Sequence, residues 1–227
     1  MKAMILAAGR GERMLPLTLH TPKPLLRVGG RPLLEHHILN LKAGGFEQLV
    51  INAAHLAGQI IEFCGDGRRW GMHIEVSEEE EPLETAGGIV RALPMLGDGP
   101  FAVVNGDIWC DYPFANLARQ APGPGGAHLV LVVNPAHNPG GDFTLSGRDV
   151  IPAGLEDTLT FSGIAVYQPD FFSGVTAGKA PLRPLLDRAI AAGNVSGERY
   201  SGSWIDVGTP QRLQAVDAAL KAQSVRG

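Results

Sequence analysis

The sequence is poor in everything that marks a disulfide-stapled, zinc-clipped, membrane or nucleic-acid-binding chain. Only 2 of its 227 residues are cysteine, Cys64 and Cys110. Each sits in apolar surroundings with no second thiol close in sequence, so buried reduced thiols and a reducing compartment, the cytoplasm, are expected. The 7 histidines fall into no HExxH or CxxC pattern, and no structural zinc is expected. Against 23 acidic residues stand 19 basic ones, a net charge of −4 that offers no field to hold nucleic acid or a membrane surface. No run approaches the ~18 apolar residues of a membrane span. The apolar opening is too short for a signal peptide and runs into Arg10, Glu12 and Arg13 without a small-residue cleavage site. A soluble protein with no nucleic-acid and no membrane partner is expected.

What is present is a 44% hydrophobic chain, enough for a full core, expected as one α/β domain spanning 1–227. Its apolar run at 3–8 reads as a buried strand that breaks at once into Gly9-Arg10-Gly11-Glu12-Arg13. Glycines let backbone approach a polyphosphate closely, while exposed N–H groups and guanidinium forks bind its oxygens. Lys23 lies between Pro22 and Pro24, which stiffen the segment and aim the ammonium. The third glycine of a dinucleotide fingerprint is missing, and no GK[ST] follows, so the loop is neither of those phosphate cradles.

Periodicity then predicts a helix over 32–42 with Leu33, Leu34, His37, Ile38 and Leu41 on one face, followed by a strand over 48–52. The unit repeats: helix 58–64, strand 73–76, an acidic loop, helix 85–93, strand 101–105. Such alternation predicts a Rossmann-like, mostly parallel sheet flanked by helices, with ligands at the C-terminal ends of the strands. The second half predicts strands at 128–133, Phe143 and 160–167, a helix over 184–192, a strand or turn over 196–200, and a last helix with Thr209 as N-cap and Pro210 first. This half is expected to add a small acceptor-binding or lid insertion to the same sheet.

Asp107 ends the apolar strand FAVVN, and Asp206 follows Trp204-Ile205. Two carboxylates at strand ends suit one Mg²⁺, which takes one or two carboxylates plus substrate phosphates. Alternatively, each aspartate makes a local turn bond.

In order and over nearly the whole chain, LAAGRGERMLPLT, PKPL, EPLETAGGI, VNGDI, FSGIAVY and WIDVGTPQRL resemble the sugar-1-phosphate nucleotidyltransferases. The resemblance implies a nucleotide-binding half at 1–120 and a sugar-binding half at 121–227. It implies in-line attack of a sugar 1-phosphate on the α-phosphorus of a nucleoside triphosphate. Arg13 would hold the β- and γ-phosphates, Lys23 would neutralise charge near the α-phosphate, and Asp107 and Asp206 would hold Mg²⁺. Ala7, Ala8, Gly9 and Gly11 would lie along the nucleotide, with Glu79 or Glu80 and Pro82 near the base edge, and Thr85 capping a helix that faces it. Asn105, Thr144 and Gly163 match positions that touch the sugar; Asp142 would bond hydroxyls or cap a turn, and Trp204 belongs to the core.

One departure stands out. Many relatives place a glutamate, lysine and proline before the FSGI-type strand, with the lysine on the sugar phosphate, and here 148–159 offers only Arg148 as a base. Lys179 and Arg183 become the candidate cations. Within the family, EPLETAGGI, NPAHNPGGDF and LTFSGIAVY are most similar to the short bacterial uridylyltransferases of N-acetylmuramate 1-phosphate, which implies UTP and a sugar 1-phosphate as partners. Mannose-1-phosphate guanylyltransferases and glucose-1-phosphate cytidylyltransferases share the EPLxTAG loop. A non-catalytic sugar-nucleotide sensor is the alternative of another class.

Overall fold

The computed structural model describes residues 1–154 and 157–224. A nine-stranded sheet organises them. Its parallel part is built from β1 (Lys2–Leu6), β4 (Gln48–Ala53), β5 (His73–Glu78) and β6 (Phe101–Asn105), after a small hairpin of β2 (Arg27–Val28) and β3 (Arg31–Pro32). Three helices connect these strands: α1 (Leu33–Ala43), α2 (Ala57–Cys64) and α3 (Glu84–Leu96).

The central strands are buried on both faces, as continuous apolar runs must be. Successive residues of a strand point to opposite sides. Ala3, Ile5, Leu49, Ile51, Ala102 and Val104 therefore pack into the layer of α1 and α2, with Leu34, Ile38, Leu41 and Ile60. Met4, Val50, Phe101 and Val103 face the other way, onto Ala86, Ile89, Ala92 and Leu96 of α3. All five residues of the predicted α1 stripe are buried.

Beyond β6 the sheet turns mixed. β7 (Ile108–Cys110), β8 (Ala127–Val132), β9 (Phe143–Ser146), β10 (Asp149–Pro152), β11 (Thr158–Tyr167), α4 (Arg183–Ala191), β12 (Val195–Tyr200), β13 (Trp204–Asp206) and α5 (Pro210–Ser224) follow in order. The spatial order is β5-β4-β1-β6-β11-β8-β12-β10-β9. β11 runs antiparallel to both β6 and β8, whereas β12 is parallel to β8.

Two local expectations need correcting. The first strand ends at Leu6, and Ala7 and Ala8 already belong to the loop. The helix expected from Thr85 starts at Glu84 behind Leu83, with no side-chain cap; Thr85 is its second residue and caps nothing. The predicted short strand at Phe143 forms, as one arm of a hairpin with β10 that turns at Gly147-Arg148. At the last helix, Thr209 Oγ1 accepts the Arg212 N–H at 3.3 Å, the predicted cap. Cys64 and Cys110 are both buried and unpaired, and burial pushes each thiol up to about 12. Among the described residues no helix is long and apolar enough to cross a membrane.

Candidate active site

The loop after β1 is held open from below. Gly11 has φ +66, a left-handed conformation, and a Cβ there would lie 2.9 Å from Thr18 Cγ2. Only glycine takes both that dihedral and that closeness without cost. The Gly11 carbonyl accepts from Thr18 Oγ1 at 2.9 Å and from the Met14 N–H at 2.8 Å, leaving Arg10, Glu12 and Arg13 exposed around it.

Beneath the loop runs a buried relay. The Ala7 N–H donates to Asn52 Oδ1 at 2.8 Å, Asn52 Nδ2 donates to Glu79 Oε1 at 2.7 Å, and Glu79 Oε2 accepts the Leu83 N–H at 3.0 Å. Asn52 and Glu79 are each 3% exposed. The relay ties the glycine loop to the start of α3. It also explains the paired glycines of ETAGGI: a Cβ on Gly88 would sit 2.7 Å from Glu79 Oε1, and one on Gly87 would run into the Gly178 carbonyl. The segment 178–181 is in turn pinned to α3 by Ala180 N–H to Leu83 O and by Ala86 and Gly87 N–H to Ala180 O. Lys179 is thereby carried onto the cavity wall.

Lys23 is nearly buried at 7% exposure, and its Nζ donates to Asp107 Oδ2 at 2.7 Å. β7 and β13 pair antiparallel, with Asp206 opposite Ile108 and the Val207 N–H on the Asp107 carbonyl at 2.8 Å. That ribbon puts Asp107 and Asp206, distant in sequence, at the same end of one two-stranded sheet. Asp206 Oδ2 meets Arg212 Nη1 at 2.9 Å and His137 Nε2 at 3.1 Å. Both carboxylates thus face cations. Among the described residues no three or more acidic, histidine or cysteine side chains form a closed metal cage. A pair of carboxylates beside a cavity lined by Arg10, Arg13, Lys23 and Lys179 fits an ion that keeps water and phosphate ligands, as Mg²⁺ does.

Two cavities meet here. The larger, about 760 Å³, is lined by Ala7, Ala8, Gly9, Gly11, Arg13, Lys23, Pro82, Thr85, Asn105 and Asp107, together with Arg10, Glu81 and Lys179. Asp206 stands just behind its Gly208 wall, where a glycine Cβ would lie 2.8 Å from Asp206 Oδ1. Glu79 lies below the cavity in the relay, and Glu80 is exposed and off its wall. Of the acidic run 78–81, Glu81 is the side chain on the wall, and its Oε2 accepts Lys179 Nζ at 2.8 Å. That hydrogen bond, then the Lys179 charge, holds the Glu81 carboxyl below the usual carboxylate range, with Arg10 adding to it. Glu84, at the mouth, adopts φ +61, an uncommon conformation for a non-glycine residue of the kind that clusters at functional sites.

The second cavity, about 570 Å³, shares Glu84, Thr85 and Asn105 with the first and adds Asp142, Phe143, Phe161, Leu182, Arg183 and Leu186. Asp142 lines it while its carboxylate accepts the Phe161 N–H at 2.8 Å and Asn138 Nδ2 at 3.2 Å. Gly163 (φ +79) sits at a bulge in β11, and its bare Cα makes room for the Asn105 side chain. Thr144 stands apart from the cavity, accepting the Gly154 N–H at 3.1 Å. Trp204 is half-buried, its Nε1 donating to the Ser162 carbonyl at 2.9 Å. Sequence reasoning missed Asn52, Glu81, His137 and Arg212. The signal for Asn52 was its place at the C-terminal end of β4, level with Leu6 of β1; nothing local marks Arg212.

Comparison with known proteins gives the family. Residues 2–143 match the nucleotidyl transferase family. The chain is 50% identical to the N-acetylmuramate alpha-1-phosphate uridylyltransferase of Neisseria meningitidis serogroup B, over 98% of this chain and 99% of the relative. It is 33% identical to the protein of the same name from Caulobacter vibrioides, over 96% of each. A mannose-1-phosphate guanyltransferase of Aspergillus fumigatus is 31% identical over 93% of this chain and 62% of its own length. In fold, the chain resembles a putative glucose-1-phosphate thymidylyltransferase from Bacillus anthracis, with TM-score 0.85, 23% identity, and coverage of 97% of this chain and 95% of that one. On the family match and the full-length relatives, this chain belongs to the nucleotidyl transferase family.

Proposed function

We propose that the protein joins N-acetylmuramate 1-phosphate to UTP, giving UDP-N-acetylmuramate and pyrophosphate, in the cytoplasmic recycling of peptidoglycan. The observation that carries this reading is the pair of adjoining cavities: one ringed by Arg10, Arg13, Lys23 and Lys179, the other opening from it at Thr85 and Asn105. Full-length likeness to two uridylyltransferases of N-acetylmuramate phosphate supports the choice of substrates. Two buried, unpaired thiols suit a reducing compartment.

A phosphate oxygen of the sugar 1-phosphate attacks the α-phosphorus, a new P–O bond forms, and pyrophosphate leaves from the opposite side. The nucleophile is ionised at neutral pH, so no general base is needed. Catalysis then consists of holding two anions against each other and stabilising charge on the leaving group. Arg13 and Arg10, exposed in the glycine loop, would hold the β- and γ-phosphates. Lys23, locked against Asp107, presents a fixed ammonium where charge builds near the α-phosphate. Lys179 is the candidate cation for the acceptor phosphate, because it lies on the wall of the first cavity, where that phosphate must arrive. Asp107 and Asp206 would hold Mg²⁺, which when bound supplies positive charge between the triphosphate and the sugar phosphate.

The test is pyrophosphate release over a grid of nucleoside triphosphates and sugar 1-phosphates with Mg²⁺. The highest kcat/KM is expected for UTP with N-acetylmuramate 1-phosphate. Preference for GTP with mannose 1-phosphate would replace this reading with that of the 31% identical relative. No release from any pair would leave a sugar-nucleotide sensor.

A further inference from the structure

We infer that Arg183 is the residue that selects an acceptor bearing a carboxylate, by pairing with the lactyl group of the sugar; this rests on the function proposed above. Among the described residues Arg183 is the sole cation lining the second cavity. The cations suited to phosphate, Arg13, Lys23 and Lys179, all belong to the first. An acceptor whose phosphate meets the triphosphate in the first cavity has no phosphate left for Arg183. A cation there serves a second anionic group, at a distance from the anomeric phosphate.

The surroundings of Arg183 fit that role. Its guanidinium carbon lies 4.8 Å from the centroid of the Phe143 ring, and its Nε donates to Asp187 Oδ1 at 2.7 Å. Stacking and the bond to Asp187 orient the fork, while the terminal Nη groups make no hydrogen bond among the described residues. A planar guanidinium fixed in this way matches a carboxylate with two parallel hydrogen bonds. Arg183 is also the first residue of α4, where the helix dipole favours an anion. Asp142 and Glu84 share the wall and would repel an unpaired carboxylate, so admission of one depends on the guanidinium. Phe161, Leu182 and Leu186 offer apolar surface to methyl groups of the acceptor.

The experiment compares wild type with Arg183→Gln and Arg183→Lys, using N-acetylmuramate 1-phosphate and the carboxylate-free N-acetylglucosamine 1-phosphate, each with UTP and Mg²⁺. In Arg183→Gln, KM for the muramate substrate is expected to rise at least tenfold relative to KM for the glucosamine substrate. Arg183→Lys, which keeps the charge and loses the fork, should recover part of that ratio. An equal rise with both acceptors overturns the inference and gives Arg183 the shared phosphate; no change with either also overturns it. If wild type turns over neither acceptor, the proposed function fails by itself. Calorimetric titration with N-acetylmuramate 1-phosphate then decides the inference: equal affinity of wild type and Arg183→Gln refutes it.

Discussion

Replacing Asn52 by leucine tests whether the buried relay sets the shape of the phosphate loop. The two side chains share their heavy-atom count and branching, so the change removes hydrogen bonds without opening a cavity. Asn52 is 3% exposed, and its loss orphans the Ala7 N–H on one side and Glu79 Oε1 on the other. A buried polar group left without its partner costs about 1–3 kcal/mol, more when charged, which puts the total at about 3–4 kcal/mol. In a chain of this length each kcal/mol moves the melting temperature by about 2–4 °C, so Asn52→Leu is expected to melt ~10 °C below wild type. KM for the nucleotide should rise, because Ala7 and Leu83 both line the cavity. Thermal unfolding of Asn52→Ala, Glu79→Ala and the double variant gives the coupling between the two side chains, expected at about 1 kcal/mol or more. A melting temperature for Asn52→Leu within about 2 °C of wild type, or additive single-variant effects, would refute the relay as the support of the loop.

Lys23→Met should lower kcat by roughly 10²–10³-fold through loss of a fixed charge at the reacting phosphate. Its partner Asp107 is 39% exposed, so urea unfolding should show a stability loss of only about 1 kcal/mol; a variant with near wild-type kcat would remove Lys23 from the chemistry. His37, buried on α1, is lowered from 6.5 to about 4, mainly by burial and secondarily by the neighbouring His36 charge, against opposing contributions from a bond to the Ile108 backbone and from Asp107. The unfolded state therefore takes up this proton first: the His37 contribution is full above pH 6.5 and is lost as pH falls toward 4, at up to about 1.4 kcal/mol per pH unit. Urea melts from pH 7 to 5 should show this slope and its reduction in His37→Leu; parallel slopes would contradict the assignment. Cys64 and Cys110, buried with thiols pushed up to about 12, should resist a thiol reagent at pH 8 and both react after unfolding. Rapid native labelling of either would contradict their burial.

The sequence by itself determined the elements that obey local rules. Continuous apolar runs became the central strands, the i, i+4 stripe of α1 became a buried face, and Thr209-Pro210 started α5, because propensity, period and capping act over a few residues. It also determined the cations of the loop: Arg10 between two glycines, Arg13 two residues after Gly11, and a proline-flanked Lys23 are written in neighbouring residues. Tertiary structure decided which polar groups meet. The pairing of β7 with β13 delivered Asp206 to Asp107, and Arg212 with it. The relay under the loop joined residues from β1, β4 and the acidic segment, and so drew Glu79 below the site and left Glu81 on its wall. The 178–181 segment, pinned to α3, sent Lys179 to the first cavity while Arg183 turned to the second. Such placements depend on sheet register and on contacts between distant segments, where a shift of one residue turns every side chain to the opposite face. Local sequence fixes which groups are available, and only the closed sheet fixes which of them share a cavity.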